Sequence, residues 1–302
     1  MLGESMIKVA VMGFGNVGKS AIDAALAAKD IELVGVIRRE AKALPKAYDD
    51  IQVVSDVHDL ASKPDVVILA LPTRSIPEAA QELLAQGFST VDSYDIHGNI
   101  LELKKSCEPI AQEHNVCSIH SAGWDPGSDS IVRALMQALA PRGISYTNFG
   151  PGMSMGHTVA VKSKEGVKNA ISMTIPLGTG VHRRMVYVEL EEGANKERVE
   201  KAILSDDYFV NDESHVIFVE NVEDYIDMGH GVNLVRKGGV GSTQNQLLEF
   251  DMKINNPALT GQVLVASARA AMRMQPGAYT LIEVPVINLL EGDKDELIKH
   301  LV

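Results

Sequence analysis

The N-terminal part of the chain alternates short apolar runs with stretches of helical character. The runs MIKVAVM (6–12), IELVGVI (31–37) and DVVILAL (65–71) are rich in β-branched residues, and Ala-rich or amphipathic stretches follow the first and the third. Two shorter runs, STVDSY (89–94) and NVCSIHSA (115–122), continue the series. Strands that alternate with helices favour a parallel sheet. We therefore predict an α/β fold with a doubly wound parallel sheet in this part.

The pattern changes after Trp124, where a helix-like stretch, SDSIVRALMQALA (128–140), is followed by β-rich sequence with few helices before Gln244. This indicates a second, α+β domain. Near the C-terminus, residues 257–274 read as a helix and residues 278–290 as an extended segment, and we expect both to return to the first domain. The predicted strands of the second domain are VAVKS (159–163), AISMTIP (170–176), HRRMVYVELE (182–191), VIFVENV (216–222) and GVNLVRKG (231–238).

Charge and composition exclude several classes of function. With 28 Lys and Arg against 40 Asp and Glu, the formal charge is −12, which disfavours nucleic acid and anionic membranes as partners. Cys107 and Cys117 are the only cysteines, too few for a disulfide framework. The start, MLGESMIKVAVMG, lacks the pattern of a signal peptide, and no apolar run approaches the roughly 18 residues of a membrane span. We therefore expect a cytoplasmic protein.

A glycine fingerprint follows the first predicted strand and opens the first predicted helix. Gly13, Gly15 and Gly18 fit G-x-G-x-x-G, in which the first glycine allows a tight turn, the second admits a pyrophosphate and the third permits close helix packing. The same spacing also occurs in ordinary glycine turns. Its position between strand and helix favours a Rossmann-type dinucleotide site, with the pyrophosphate at the helix N-terminus near Asn16.

The end of the second strand bears on which dinucleotide binds. NAD-binding chains usually carry an acidic residue there, whereas this chain has Arg38 and Arg39. Two guanidinium groups suit the 2′-phosphate of NADP. The alternative is a solvated basic pair beside Glu40. We predict NADP.

Two aspartates follow later strands of the predicted sheet. Asp95, in SYDIHG, and Asp125, in SAGWDPG, should face the crevice at the carboxyl ends of the strands, where two carboxylates suit a cationic substrate. As the alternative, Asp125 only forms a turn and Asp95 only caps the next helix. Trp124 is either core or a flat wall beside the substrate.

In the second domain, alternation along HRRMVYVELE places Arg184 on the same face as Val186 and Val188, and turns Arg183 towards water. A guanidinium on an apolar face needs an anionic partner, either an internal carboxylate or a substrate carboxylate. His230, between two glycines, suits close ligand approach but is equally an incidental loop histidine. The spacing of His97, His157 and His230 is not that of metal ligands, so we predict no metal site.

Taken in order, these motifs resemble the meso-diaminopimelate dehydrogenase family over nearly the whole chain. The motifs are GFGNVG, VIRRE, LPTRSIPE, VDSYDIHG, SAGWDPG, FGPGMSMGH, SMTIP, MGHG and INNP. The resemblance implies a discontinuous NADP-binding Rossmann domain (1–124 and 258–302), a substrate and dimerisation domain (125–257) and a homodimer. It also implies reversible NADP-dependent oxidative deamination of meso-2,6-diaminopimelate at its D-centre to L-2-amino-6-oxopimelate, which cyclises to tetrahydrodipicolinate, and ammonia, in lysine biosynthesis.

The resemblance further implies roles for individual residues. Asp95 and Asp125 would hold the reacting ammonium and are the candidate catalytic residues. Substrate contacts would include Trp124 and, around the distal carboxylate and the rest of the pocket, Phe149, Met155, Gly156, Thr174, Arg184, His230 and Asn256. Cofactor contacts would come from Gly13, Phe14, Gly15, Asn16, Val17, Gly18, Arg38, Arg39, Ala70, Leu71, Pro72, Thr73, Ser93, Tyr94, Asp95, Ala122, Gly123, Trp124, Asp125 and Pro126.

Two departures from the family pattern bear on substrate breadth. Phe149 and Met155 stand where family members often have Trp and Gln, and the segment between Pro176 and His182 is much shorter than in longer members. The chain thus resembles a shorter branch with a roomier pocket, for which we expect greater tolerance of other D-amino acids or 2-keto acids. The alternatives are a broad D-amino-acid dehydrogenase, a related oxidoreductase such as a dihydrodipicolinate reductase or an L-amino-acid dehydrogenase, and a non-enzymatic NADP-sensing module.

Overall fold

The computed structural model describes residues 6–226 and 229–302, apart from the side chain of Met155. Residues 1–5, which belong to the N-terminal segment without a signal-peptide pattern, lie outside this description, as does Met228 of the MGHG motif. The chain divides into two compact units: unit 1 comprises Met1–Ala134 and Pro257–Val302, and unit 2 comprises Leu135–Asn256. The boundaries expected from the sequence, after 124 and after 257, are ten residues before and one residue after these divisions.

Unit 1 is an α/β unit, as predicted. Its strands are β1 (Ile7–Met12), β2 (Ile31–Ile37), β3 (Val53–Val54), β4 (Val66–Leu69), β5 (Ser89–Asp92), β6 (Cys117–His120) and, numbered last in the chain, β14 (Gly277–Thr280). Its helices are α1 (Asn16–Ala27), α2 (Ile76–Ala85), α3 (Ile100–Glu113), α4 (Ser128–Leu139), α7 (Asn256–Ala271), α8 (Val286–Leu289) and α9 (Lys294–Leu301), of which α4 continues into unit 2 and α7 begins there. Short 3-10 turns lie at Lys46–Tyr48, Val57–Asp59, Thr73–Ser75, His97–Asn99 and Leu281–Glu283.

The sheet of unit 1 is parallel, and its strand order is β14-β6-β5-β4-β1-β2-β3. The chain therefore reverses direction across the sheet between β1 and β4, which is the topological switch point where open α/β sheets bind ligands. Strands such as β4 are buried along their whole length, because helices cover both faces of a parallel sheet. This explains why they read as unbroken apolar runs in the sequence.

The C-terminal segment completes unit 1. Strand β14 pairs with β6, and Gly261 lets α7 pack directly against the backbone of α1 at Ser20. The buried Arg269 guanidinium binds Asp30, just before β2, and it lowers the pKa of that carboxyl through hydrogen bonds. The extended segment predicted over 278–290 is wrong beyond Thr280, where a 3-10 turn and the short α8 follow.

Unit 2 is built, within its described residues, of one mixed sheet, one antiparallel sheet and two helices of its own, in accord with the predicted α+β class. Its strands are β7 (Arg142–Phe149), β8 (Gly152–Met153), β9 (Val167–Gly178), β10 (Val181–Leu190), β11 (Glu213–Phe218), β12 (His230–Val240) and β13 (Thr243–Ile254). Its helices are α5 (Met155–Lys162) and α6 (Lys196–Leu204), and a 3-10 turn lies at Val222–Tyr225. One sheet has the order β11-β10-β9-β8, with β11 parallel to β10, and the other has the order β13-β12-β7.

The predicted strand VAVKS is wrong, because residues 159–162 belong to helix α5. In a strand, Val159 and Val161 would share one face, but Val159 is 63% exposed whereas Val161 is fully buried. Thr158 and Val161, three positions apart, turn together into unit 2, as a helical period requires. Contact with β9 thus decides the structure over the β-branched composition. Sequence reasoning also missed β13, whose exposed and half-buried positions alternate.

Among the described residues, the structure contains no helix with the length and apolar character needed to cross a membrane.

Candidate functional site

The glycine turn lies at the switch point of the sheet in unit 1. Gly13 has a φ of +107°, and a Cβ atom there would overlap the backbone of Ala70 after β4. A Cβ on Gly18 would overlap the backbone of Gly13, so this glycine lets α1 pack closely against the turn. Around Gly15, by contrast, a Cβ would meet no atom within 4 Å. The turn therefore leaves open space beside the N-terminus of α1, whose N–H groups suit a pyrophosphate.

Cationic and aromatic groups surround Phe14 next to this turn. The Arg38 guanidinium lies 5.5 Å from the centre of the Phe14 ring, the Lys19 ammonium lies 5.4 Å from it, and the Tyr48 ring meets it edge to face. One Arg38 amino group donates to the carbonyl of Lys42 at 3.3 Å, while Arg39 is exposed. Lys19 and Tyr48 lie next to Phe14, a predicted cofactor residue. Sequence reasoning missed both of them.

The remaining predicted cofactor segments leave the sheet at the same edge. Residues 70–73, 93–95 and 122–126 follow β4, β5 and β6, which are adjacent and parallel, so their carboxyl ends lie side by side. The structure therefore brings these segments together with the glycine turn, because the carboxyl ends of parallel strands share one edge of a sheet.

Asp95 is an exposed carboxylate on a fixed backbone. Its N–H donates to the hydroxyl of Thr73 at 3.3 Å, which connects the segment after β5 to the segment after β4. The alternative in which Asp95 caps the next helix does not hold, since Ile96 occupies the cap position of the 3-10 turn and no side chain caps that turn.

Asp125 is half-buried and takes part in a charge cluster at the start of α4. Its Oδ1 lies 3.3 Å from Nη1 of Arg133, and Nη2 of the same guanidinium lies 2.7 Å from Oδ2 of the fully buried Asp129. Burial and the neighbouring Asp125 raise the pKa of Asp129 to about 7, against the lowering effect of Arg133. Trp124 is buried, and its carbonyl accepts the N–H of Asp129. Asp129 and Arg133 were missed, although their spacing of four positions on one helix is a usable signal.

A buried ion pair holds the two aspartate-bearing segments. Asp92 and His120 are both fully buried, with Oδ2 of Asp92 2.7 Å from Nδ1 of His120. Burial alone would lower the pKa of His120, but the Asp92 carboxylate raises it to about 10. The other Asp92 oxygen accepts the N–H groups of Tyr94 and Ser121. The backbone before Asp95 and before Trp124 is thereby fixed to a single carboxylate.

In unit 2, Arg184 pairs with an internal carboxylate. Its Nε donates to Oδ2 of Asp212 at 2.7 Å, its Nη1 donates to the hydroxyl of the buried Thr174, and its side chain is 13% exposed. Arg183 instead forms an outer pair with Glu213 and its side chain is 39% exposed. The alternation predicted for this strand is therefore confirmed, and of the two partners left open for Arg184 the structure shows the internal one. Asp212 lies in a loop and has no recognisable sequence signal.

Glycines bring three further predicted segments of unit 2 to the same place. A Cβ on Gly150, next to Phe149, would overlap the carbonyl of Thr174, and a Cβ on Gly152 would overlap the backbone at Gly229 and His230. The N–H of Gly150 donates to the carbonyl of Gly231 at 2.7 Å. The structure therefore groups Phe149, Thr174, Arg184 and His230 by backbone proximity.

Two histidines complete this group, and the pKa of each is lowered. Burial, and then the Arg184 charge, lower the pKa of His157 to about 4 and also lower that of His182. Nδ1 of His157 lies 2.8 Å from the Ser154 hydroxyl, and Nε2 of His182 accepts the N–H of Phe149.

The other predicted substrate residues lie at helix starts. Gly156, beside Met155 at the start of α5, lies against the ring of Tyr208. Asn256 is the last residue of unit 2 and the first of α7. Among the described residues, no cluster of His, Cys, Asp and Glu is arranged to hold a metal ion.

Comparison with known proteins identifies the family. A Bacteroides fragilis protein named meso-diaminopimelate D-dehydrogenase is 59% identical over 297 residues, covering 98% of this chain and 99% of the relative. This chain belongs to the meso-diaminopimelate D-dehydrogenase family. A Corynebacterium glutamicum protein of the same name is 32% identical and covers 97% of this chain and 98% of its own length. The resemblance drawn from the motifs is confirmed.

Family models divide the chain between two domains. A diaminopimelic acid dehydrogenase C-terminal domain matches residues 123–181 and 178–256, and a domain described as NADP oxidoreductase, coenzyme F420-dependent, matches residues 8–93. The family is one of amino-acid dehydrogenases, and the second match supports a nicotinamide cofactor for unit 1.

Solved structures agree with the predicted fold class. A C. glutamicum diaminopimelate dehydrogenase in complex with diaminopimelate has a TM-score of 0.86 and 31% identity, covering 99% of this chain and all of that chain. An engineered D-amino acid dehydrogenase bound to NADP+ has a TM-score of 0.80 and 31% identity with the same coverage.

Proposed function

We propose that this chain catalyses the NADP-dependent, reversible oxidative deamination of meso-2,6-diaminopimelate at its D-centre. Substrate, NADP+ and water give L-2-amino-6-oxopimelate, ammonium, NADPH and a proton. The observation that carries the proposal is full-length kinship with this family in a chain whose two candidate aspartates follow adjacent strands at the edge of the glycine turn. In the cell this reaction belongs to lysine biosynthesis.

At the reacting end of the substrate, Asp95 and Asp125 bind the D-centre ammonium. Asp95 offers an exposed carboxylate on a backbone tied to Thr73, and Asp125 offers one tied to Arg133. Two fixed negative charges orient the amine and thereby the Cα–H bond. One of them takes the amine proton and activates the water that attacks the substrate iminium. A bound nicotinamide supplies the hydride acceptor.

NADP rather than NAD is the proposed cofactor. The open space at Gly15 suits a pyrophosphate, and Arg38 and Arg39 directly follow β2, where NAD-binding chains usually carry an acidic residue. Phe14 gives the adenosine end an aromatic neighbour. Its ring centre lies 5.5 Å from the Arg38 guanidinium, and the Tyr48 ring meets it edge to face. Each guanidinium adds a fixed positive charge that NAD does not use.

At the distal end, Arg184 binds the carboxylate that distinguishes diaminopimelate from simple amino acids. Thr174 is hydrogen-bonded to Arg184, and we propose that Thr174 and His230 contact the same carboxylate. The lowered pKa values of His157 and His182 favour the neutral forms of these two rings near Arg184. Trp124, Phe149, Met155, Gly156 and Asn256 are proposed as the remaining substrate contacts. As contacts of the cofactor we propose all twenty residues that the family resemblance implies.

We further propose a homodimer and a cytoplasmic location. Ile144, Val240 and Leu247, on the β7-β12-β13 sheet and its β12–β13 end, are 52%, 42% and 54% exposed in the single chain. Exposed apolar groups of this kind suit burial against a second copy. Analytical ultracentrifugation should give twice the monomer mass. The two free, buried cysteines suit a reducing compartment.

A broader D-amino-acid dehydrogenase is the second candidate, because the engineered enzyme of that name shares this fold along the whole chain. NADPH formation should be measured with meso-, LL- and DD-diaminopimelate and with D-alanine. We expect strong activity with the meso isomer and none with the LL isomer. Equal kcat/KM values for meso-diaminopimelate and D-alanine would support the second candidate, and activity with the LL isomer would overturn both.

A further inference from the structure

Arg133 serves two carboxylates at once. Its Nη1 lies 3.3 Å from Oδ1 of Asp125 and its Nη2 lies 2.7 Å from Oδ2 of Asp129. Asp125 is half-buried and 14% exposed, whereas Asp129, in the first turn of α4, has no exposed surface. One guanidinium thus faces two carboxyl groups, one half-buried and one fully buried.

Hydrogen bonding leaves Asp129 poorly suited to carry a full negative charge. Its Oδ1 accepts from the Ser130 hydroxyl at 3.3 Å, but its Oδ2, although 2.7 Å from Nη2 of Arg133, has no hydrogen-bond partner among the described residues. The groups that shift its titration are Asp125 in the preceding loop, Arg133 on the next turn and Ser130. Burial and Asp125 raise the pKa of Asp129 to about 7. Near pH 7, both the protonated and the charged form of Asp129 are therefore populated.

We propose that Asp129 and Arg133 are positioning residues that set the orientation and the electrostatic surroundings of Asp125 during deamination. This proposal rests on the role proposed above for Asp125. When Asp129 is protonated, the guanidinium pairs with the Asp125 carboxylate alone. When Asp129 loses its proton, it competes for the guanidinium and places a like charge beside Asp125, which weakens the hold of Arg133 on Asp125.

A purely structural role for Asp129 predicts something different. An acid in the first turn of a helix stabilises that helix through the helix dipole, and removing it should change the free energy of unfolding without changing how activity depends on pH. Because the pKa of Asp129 is raised above its ordinary value, its contribution to folding is complete at acid pH and falls as pH rises through about 7. Asp129→Asn should therefore fold at least as well above neutrality.

The test compares pH profiles of kcat/KM for meso-diaminopimelate oxidation in the full-length wild type and Asp129→Asn. We expect the ratio of the two values to change by about threefold or more across neutral pH, because the variant lacks one ionisation that the wild type has. Kd for NADP+ should be unchanged. Glu102→Gln, which removes an exposed acid from the first turn of α3, is the matched control and should give a constant ratio.

Arg133→Gln and Arg133→Lys keep the proposal testable if Asp129→Asn folds poorly. Arg133→Gln should move the acid limb of the profile to higher pH by about one unit, because it removes the positive charge beside the two carboxyl groups. Arg133→Lys should reverse most of this shift, because it returns that charge. A pH-independent ratio for Asp129→Asn, or an unmoved limb for Arg133→Gln, overturns the inference. If Asp125→Asn is inactive in the same series, the proposed function survives that failure; if Asp125→Asn stays active, the role of Asp125 and this inference both fall.

Discussion

The two regions of candidate arginines differ in how their charge is used within the protein. In unit 1, Arg38 contacts a ring and a backbone carbonyl, and Arg39 is exposed, while the nearby Glu40 pairs with Lys42 instead. In unit 2, Arg184 is largely buried and already paired with Asp212.

Burial decides whether a cation that binds a ligand needs an internal partner. A guanidinium in contact with water is solvated before its ligand arrives, whereas one enclosed among strands would be costly without a carboxylate. Arg38 and Arg39 should therefore contribute their whole charge to a ligand. Arg184 should contribute direction and hydrogen bonds, with part of its charge balanced by Asp212.

The largest expected effect comes from removing Arg184. Truncating one partner of a buried charge pair costs about 2–5 kcal/mol, so Arg184→Ala should lower kcat/KM for meso-diaminopimelate by roughly 30- to 4000-fold. D-alanine, which lacks a second carboxylate, should be oxidised at nearly the wild-type rate. Steady-state kinetics with both substrates measures this. Arg183→Ala, on the outer face of the same strand, is the control and should change neither value.

An equal loss for both substrates in Arg184→Ala would mean that the arginine only supports the fold of unit 2. The contrast between a solvated and an enclosed binding cation would then not hold.

The next effect is expected at the two aspartates. Asp95→Asn and Asp125→Asn keep the side-chain shape but remove the charge, so turnover should fall by roughly 100-fold or more if a general base is lost. Kd for NADP+, measured by fluorescence titration, should hardly change. Near-normal turnover in either variant would remove that residue from the catalytic role.

Removing Arg38 and Arg39 should have a smaller effect, on the affinity for NADP+ relative to NAD+. A charge-assisted hydrogen bond contributes about 1.5–3 kcal/mol, so Arg38→Ser should weaken NADP+ binding by roughly 10- to 150-fold, and changing Arg39 as well should weaken it further. NAD+ binding should be nearly unaffected. Equal losses for the two dinucleotides would identify the pair as a solvated surface feature.

The smallest effect is expected from removing the charge of Asp212, the internal partner of Arg184. Asp212→Asn keeps an oxygen that can accept from Nε of Arg184 but removes the charge that balances it. We expect KM for meso-diaminopimelate to fall by about two- to fivefold with kcat unchanged, the size typical of a partly exposed ion pair. A large rise in KM would show instead that the charge of Asp212 is needed to hold Arg184 in place.

Sequence reasoning succeeded where a local pattern dictates the structure. The glycine turn at Gly13 and the strand ends before Asp95 and Trp124 follow from apolar runs and turn residues, because parallel strands must present their carboxyl ends at one edge. Strand alternation also gave the inward face of Arg184.

Contacts distant along the chain were not accessible to sequence reasoning. Nothing near Asp212 in the sequence indicates that it meets Arg184, 28 positions earlier. The β-branched composition of residues 159–163 favours a strand, yet packing against β9 makes that segment helical. Asp129 lies between these cases, since its helical spacing from Arg133 was visible but its burial was not.

Oxidation at the D-centre of meso-diaminopimelate can be tested with two substrates, one that carries deuterium on the α-carbon of the D-centre and one that carries it on the α-carbon of the L-centre. Incubation with NADP+ and analysis of the reduced cofactor by mass spectrometry shows which hydrogen is transferred. We predict that label on the D-centre appears in NADPH and that label on the L-centre stays in the amino-oxopimelate product. Transfer of the L-centre label, or no reduction of NADP+ by either substrate, would contradict the account.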